Sequence, residues 1–148
     1  MKNIINNDLV VWDDGYRTGI ELIDNQHKVL VDLTNKLFQA CRGRDGEEEL
    51  HSAFKTTMGN MVEYVRFHFS AEEDMLRRIN YPKFSEHKKQ HEALIQMILD
   101  SVKDHMSGKP FIPNRFVRNL RDWIFGHIAV SDKDYAIFYG KLHEGVVA

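Results

Sequence analysis

Lys83-Phe84-Ser85-Glu86-His87-Lys88-Lys89-Gln90-His91-Glu92-Ala93-Leu94-Ile95-Gln96-Met97-Ile98-Leu99-Asp100-Ser101-Val102 decides the fold, because its apolar residues keep helical time and two histidines keep it with them. Phe84, His87, His91, Leu94, Ile98 and Val102 recur at steps of three and four, which puts them on one stripe of a helix. That helix is predicted over about residues 83–106. Asn80-Tyr81-Pro82 breaks the chain before it and Ser107-Gly108-Lys109-Pro110 after it. Upstream, Phe54, Met58, Met61, Val65, His68, Glu72, Met75 and Ile79 form the stripe of a helix over about 47–79, whose first turn is glutamate-rich. Further upstream, Ile20, Ile23, His27, Leu30, Thr34, Leu37 and Cys41 define a helix over about 18–41. Gly43 is its expected C-cap, and Asp45 or Gly46 the start of the next helix. Downstream, Val117, Leu120, Ile124 and His127 mark a fourth helix over about 113–128, opened by Pro113. A short final helix is expected from Asp132 to about Leu142, and residues 1–17 read as an irregular arm. Strand-like alternation is absent. The expected fold is all-α: an up-down-up-down four-helix bundle with an irregular N-terminal arm and a short C-terminal helix.

Bulk properties narrow the class. The chain of 148 residues suits one domain, taken as 1–148, with 43% hydrophobic and 28% charged residues, the balance of a globular protein. A net charge of −2 without a basic cluster argues against nucleic acid or an anionic membrane as the partner. One cysteine cannot build a disulfide framework. Residues 1–11 lack the apolar run of a signal peptide, and no stretch nears the roughly 20 apolar residues that span a bilayer, so a cytoplasmic location is expected.

His27, His68, Glu72, His87, His91 and His127 interrupt the stripes where Leu or Ile would be expected. His68 and Glu72 are four apart, as are His87 and His91, so each pair shares a helix face. In an up-down bundle the six fall in one slab on the order of 12 Å deep. Asp132, five residues after His127 where the fourth helix should be ending, can swing its carboxylate back toward them. Burying so many polar groups without partners is very costly, and metal ions supply partners. Five imidazoles and two carboxylates exceed the needs of one tetrahedral zinc but suit two octahedral irons sharing both carboxylates. With an oxo or hydroxo bridge, that count leaves one coordination position open, on the iron with fewer histidines.

In order and spacing, His27, His68-x-x-x-Glu72, His87-x-x-x-His91 and His127-x-x-x-x-Asp132 resemble the ligand set of the hemerythrins. The flanking Gly19-Ile20, Ile23-Asp24-x-Gln26-His27, His68-Phe69-x-x-Glu72-Glu73, Tyr81-Pro82 and Trp123-Ile124-x-x-His127-Ile128 agree, and the length resembles the single-domain bacterial members. The resemblance implies that His87, His91 and His127 hold one iron, that His27 and His68 hold the other, and that Glu72 and Asp132 bridge them. It implies dioxygen as the ligand, bound at the two-histidine iron in an apolar pocket of Leu30, Phe69, Ile124 and Ile128. Reversible binding, for oxygen storage, delivery or sensing, is the expected role, with no catalytic residue. The alternatives are a di-iron redox enzyme, a peroxidase or nitric-oxide handler, or a sensor acting through a separate partner. An oxygen-consuming enzyme or a signalling protein would be the macromolecular partner. The lack of a further acid or base at the seam argues against turnover.

Other polar and sulfur residues read as structural. His51, His105 and His143 fall outside the motif and are expected at the surface, and Glu48-x-x-His51 lacks the second copy that a ferritin-like site needs. Met58, Met61 and Met75 are expected as core filler, Trp12 and Trp123 as packing anchors, and Cys41 as a buried or near-surface bystander. Gly126 precedes a ligand inside a helix, where glycine costs about 1 kcal/mol relative to alanine, and could leave space for ligand entry.

Overall fold

The structure, a computed structural model, describes residues 8–41, 47–108 and 113–147, the side chains of 47–51, 113 and 144–147 excepted. The expected cap at Gly43, the helix start at Asp45 or Gly46, and the side chains of Glu48 and His51 lie outside these residues. Four helices form the bundle: α1 Glu21–Ala40, α2 Glu47–Arg78, α3 Phe84–Met106 and α4 Pro113–His127. A π-helical turn, Ile128–Asp132, joins α4 to α5, Lys133–Val147, and no strand occurs among the described residues.

Helix α1 begins three residues later than its periodicity suggests. Gly19 takes a left-handed φ of 84°, which a side chain would resist, so Thr18 stays outside the helix. Asp24, one turn in, anchors this entry. Its carboxylate accepts from the Thr18 amide at 2.7 Å, the Thr18 hydroxyl at 2.8 Å and the Gly19 amide at 3.1 Å. At the end of α2, Asn80 adopts a φ of 53°, its amide donates to Arg77 O, and the Tyr81 amide donates to Leu76 O. This is a Schellman stop with asparagine in the left-handed position, and Leu76 and Tyr81 make its apolar contact. Leu76 therefore takes the buried position on the last turns of α2, and Met75 and Ile79 only flank it.

The core comes in two parts. The larger, which includes Leu30, Val65, Phe69, Leu94, Ile124 and Ile128, fills the body of the bundle. The smaller, Ile23, Leu76, Tyr81 and Tyr135, closes one end. Each buried side chain of this kind stabilises the fold by about 1.5–3 kcal/mol. Asn35 ties the arm to the body at a buried junction. Asn35 donates from Nδ2 to Val10 O at 2.8 Å, while its Oδ1 accepts from the Leu9 and Val10 amides at 2.9 and 2.8 Å. Beyond it, Trp12, Tyr16 and Phe125 form an aromatic ladder with centroids 5.6 and 5.1 Å apart.

Helix α4 ends at His127, close to the expected 128, but the chain does not leave the helical path there. It runs through the π turn into α5, so Asp132 is held inside a continuous helical rod rather than swinging back from a loop. On an α-helix, residues five apart lie about 140° from one another around the axis. The wider π turn returns His127 and Asp132 to one face.

Candidate metal centre

Between the two core clusters lie all seven polar residues that the sequence singled out, each buried: His27, His68, Glu72, His87, His91, His127 and Asp132. On α1, His27 sits between Ile23 and Leu30; on α2, His68 and Glu72 sit between Val65 and Leu76. Their ligand atoms fall into two groups, Glu72 with His87, His91 and His127, and Glu72 and Asp132 with His27 and His68; within each group all lie within 4.8 Å of one another.

The two carboxylates divide their oxygens between these groups. Glu72 Oε1 is 2.7 Å from His87 Nε2 and 2.9 Å from His91 Nε2, whereas Glu72 Oε2 is 3.4 Å from His68 Nε2 and 3.8 Å from His27 Nε2. Asp132 Oδ1 is 3.1 Å from both His87 Nε2 and His127 Nε2, and Asp132 Oδ2 is 3.1 Å from His27 Nε2. Neighbouring ligands bonded at about 2.0–2.2 Å to one ion, at right angles, stand about 3 Å apart. The observed separations cluster around that value.

Among the described residues, five buried side-chain atoms lack a hydrogen-bond partner: both ring nitrogens of His27, His91 Nε2, and both oxygens of Asp132. Several are near enough for charge attraction yet off the line that a hydrogen bond needs. Atoms facing a common ion stand in this way, so the donor set fits cations. Without an ion, the site relies on shared protons. Burial would depress His27 and His87, but Asp132 and Glu72 outweigh it and push both up to about 9. Burial likewise opposes ionisation of Glu72 and Asp132. The imidazoles around Glu72, chiefly His27 and His68, hold it well below the usual carboxylate range. Asp132 is held down by His127, His27 and His87, against both its burial and the charge of Glu72.

Behind the donors stands a supporting layer. The His68 Nδ1–H donates to Gln26 Oε1 at 2.6 Å, and the His91 Nδ1–H to Glu73 Oε2 at 2.8 Å. The Tyr135 hydroxyl, fully buried, donates to Glu72 Oε2 at 2.8 Å. Burial, then the charges of Glu72 and Asp132, push Tyr135 well above the ordinary phenol range, so it stays a donor. Phe69 stacks on His91 with centroids 3.7 Å apart, and Trp123 on His127 at 4.9 Å.

Residues 18–136 match the family described as the hemerythrin HHE cation binding domain. The chain belongs to the hemerythrin family. It is 32% identical over 126 residues to a bacteriohemerythrin of Pseudomonas aeruginosa, covering 85% of this chain and 78% of that one. A bacteriohemerythrin of Clostridium acetobutylicum is 28% identical over 131 residues, covering 86% and 98%. Wild-type hemerythrin, solved by crystallography, superposes with a TM-score of 0.76 at 29% identity, covering 86% of this chain and 95% of that one. The family resemblance read from the motif therefore stands.

Several members of the supporting layer were not assigned a role from sequence. Tyr135 adds a hydrogen-bond donor at the seam: it lies three residues beyond Asp132, in α5, the final helix expected from Asp132 to about Leu142. Trp123 is more than a packing anchor, since it lies against a donor imidazole and lines the cavity beside it. His105 is half-buried with its ring edge toward Phe54 rather than at the surface, while His143 is exposed as expected. Gly126 faces solvent, and an added Cβ would meet nothing within 4 Å, so it opens no path inward.

Proposed function

We propose that this protein binds dioxygen reversibly at a pair of iron ions, His87, His91 and His127 holding one, His27 and His68 the other, with Glu72 and Asp132 bridging. The observation that carries this reading is the division of both carboxylates: each turns one oxygen to the three-imidazole group and the other to the two-imidazole group. Bound iron supplies the reversible redox chemistry toward dioxygen that no side chain offers. The chain's own residues supply its setting. Leu30, Phe69, Ile124 and Ile128 line a cavity of about 10 Å³, also reached by His68, His127 and Asp132, with room for about one water-sized molecule. These apolar walls exclude the water and anions that would promote irreversible oxidation. Tyr135 fixes the orientation of Glu72 by donating to the oxygen on the two-imidazole side. Among the described residues no helix is long and apolar enough to cross a membrane. We place the protein in the cytoplasm as a single-domain oxygen store, carrier or sensor.

The test is metal analysis with an oxygenation cycle. Reduced, iron-loaded protein should carry two irons per chain, develop a charge-transfer spectrum with oxygen, and return to the reduced spectrum under vacuum. Permanent oxidation on first contact would overturn the carrier role. A redox enzyme is the second reading, favoured by the buried Tyr135 hydroxyl, a fixed hydrogen-bond donor beside the centre. Multiple rapid turnovers with peroxide in stopped flow would select it.

A further inference from the structure

Two of the imidazoles are supported from behind by different chemistry. On the three-imidazole side, His91 donates to a carboxylate, Glu73 Oε2, at 2.8 Å. On the two-imidazole side, His68 donates to a neutral amide, Gln26 Oε1, at 2.6 Å. Both bonds require a proton on Nδ1 and leave the Nε2 lone pair of each ring turned inward, toward Glu72. Orientation is thus served equally well on both sides. The electronic effect differs. A carboxylate draws on the imidazole proton, makes the ring a stronger donor to a cation and favours the higher-charged state of that cation; an amide holds the ring without that push.

Glutamate would have the same shape as Gln26, so size does not explain the amide. Gln26 is 6% exposed and stands one residue from His27. A carboxylate there would add a further buried negative charge to those of Glu72 and Asp132. Glu73, by contrast, is partly exposed at the floor of a surface groove that also reaches Phe69 and His91, where solvent can share its charge.

We infer that Gln26 is a positioning residue that orients His68 while sparing it a carboxylate's push, so that the metal ion on the two-imidazole side has the higher reduction potential of the pair. Glu73 and Gln26 together set this inequivalence. The inference rests on the di-iron reading above and names its regulation: the ion on the two-imidazole side is the one more easily kept reduced.

The experiment is anaerobic redox titration of iron-loaded wild type, Gln26→Glu and Glu73→Gln, with iron content measured on the same samples. In Gln26→Glu, the ferric-to-ferrous ratio of the two-imidazole iron at fixed poise should rise at least tenfold, a potential lower by about 59 mV for one electron. In Glu73→Gln, the potential of the three-imidazole iron should move the opposite way. Two irons per chain with unchanged potentials in both variants would overturn the inference. A wild-type chain that binds no iron pair would instead overturn the di-iron reading. Should Gln26→Glu fail to fold, the wild-type titration decides: a two-imidazole iron whose potential does not lie above that of the three-imidazole iron would overturn the inference.

Discussion

His127 and Glu72 carry the most specific expectations. His127 Nε2 lies 3.2 Å from His87 Nε2, and Glu72 touches four of the five imidazoles. Replacing either by alanine should lower iron well below two per chain, measured by metal analysis of purified protein; full retention would refute the ligand assignment. Ile124, at the wall of the small cavity, has a different role. Ile124→Ala should retain iron but speed autoxidation, followed as decay of the oxygenated spectrum; an unchanged rate would show that it guards nothing. At this scale the sequence was most informative. Seven polar residues at seam positions have few explanations, and burial confirms that all seven point inward. The supporting residues were harder to assign. Gln26 and Glu73 adjoin donors in the chain, yet adjacency does not say that each serves an imidazole of another helix. Tyr135 reads as one more aromatic at helical spacing.

Helix periodicity gave the number and type of elements, but their ends follow interactions that periodicity does not encode. The start of α1 is displaced by a carboxylate that reaches back from Asp24 to Thr18 and Gly19. From sequence the π turn reads as a helix end, because apolar periodicity carries no sign of the wider turn. The demand that His127 and Asp132 serve one site could have exposed it. The arm poses the same difficulty, since nothing local says that Asn35, inside a helix, satisfies the backbone of residues 9 and 10. Asn35→Ala removes three hydrogen bonds from a buried junction. It should lower stability by about 1–3 kcal/mol in urea unfolding while iron content stays unchanged. A loss of iron instead would mean that the arm shapes the centre itself.

Over the whole molecule, metal and proton compete for the same donors. In the metal-free protein His27 and His87 hold protons up to about 9, against an unfolded value of 6.5. Their contribution to stability is therefore complete below about 6.5 and is lost as pH rises through about 9. Glu72 and Asp132 are displaced downward, so their contribution is present above the ordinary carboxylate range and lost as pH falls below it. Chelator-treated protein should thus be most stable in mildly acidic solution and weaken toward pH 9. Iron-loaded protein should not show that alkaline decline, because the cation takes the place of the protons. Urea midpoints across pH, with and without iron, check the expectation; identical profiles would disprove it.

The five partnerless atoms around His27, His91 and Asp132 also bear on the life of the polypeptide in a cell. If iron fills this centre, chains made while it is scarce would keep that flaw, open more often, and meet proteases while open. On the di-iron reading, the lifetime of the chain would then follow the supply of the metal that completes it.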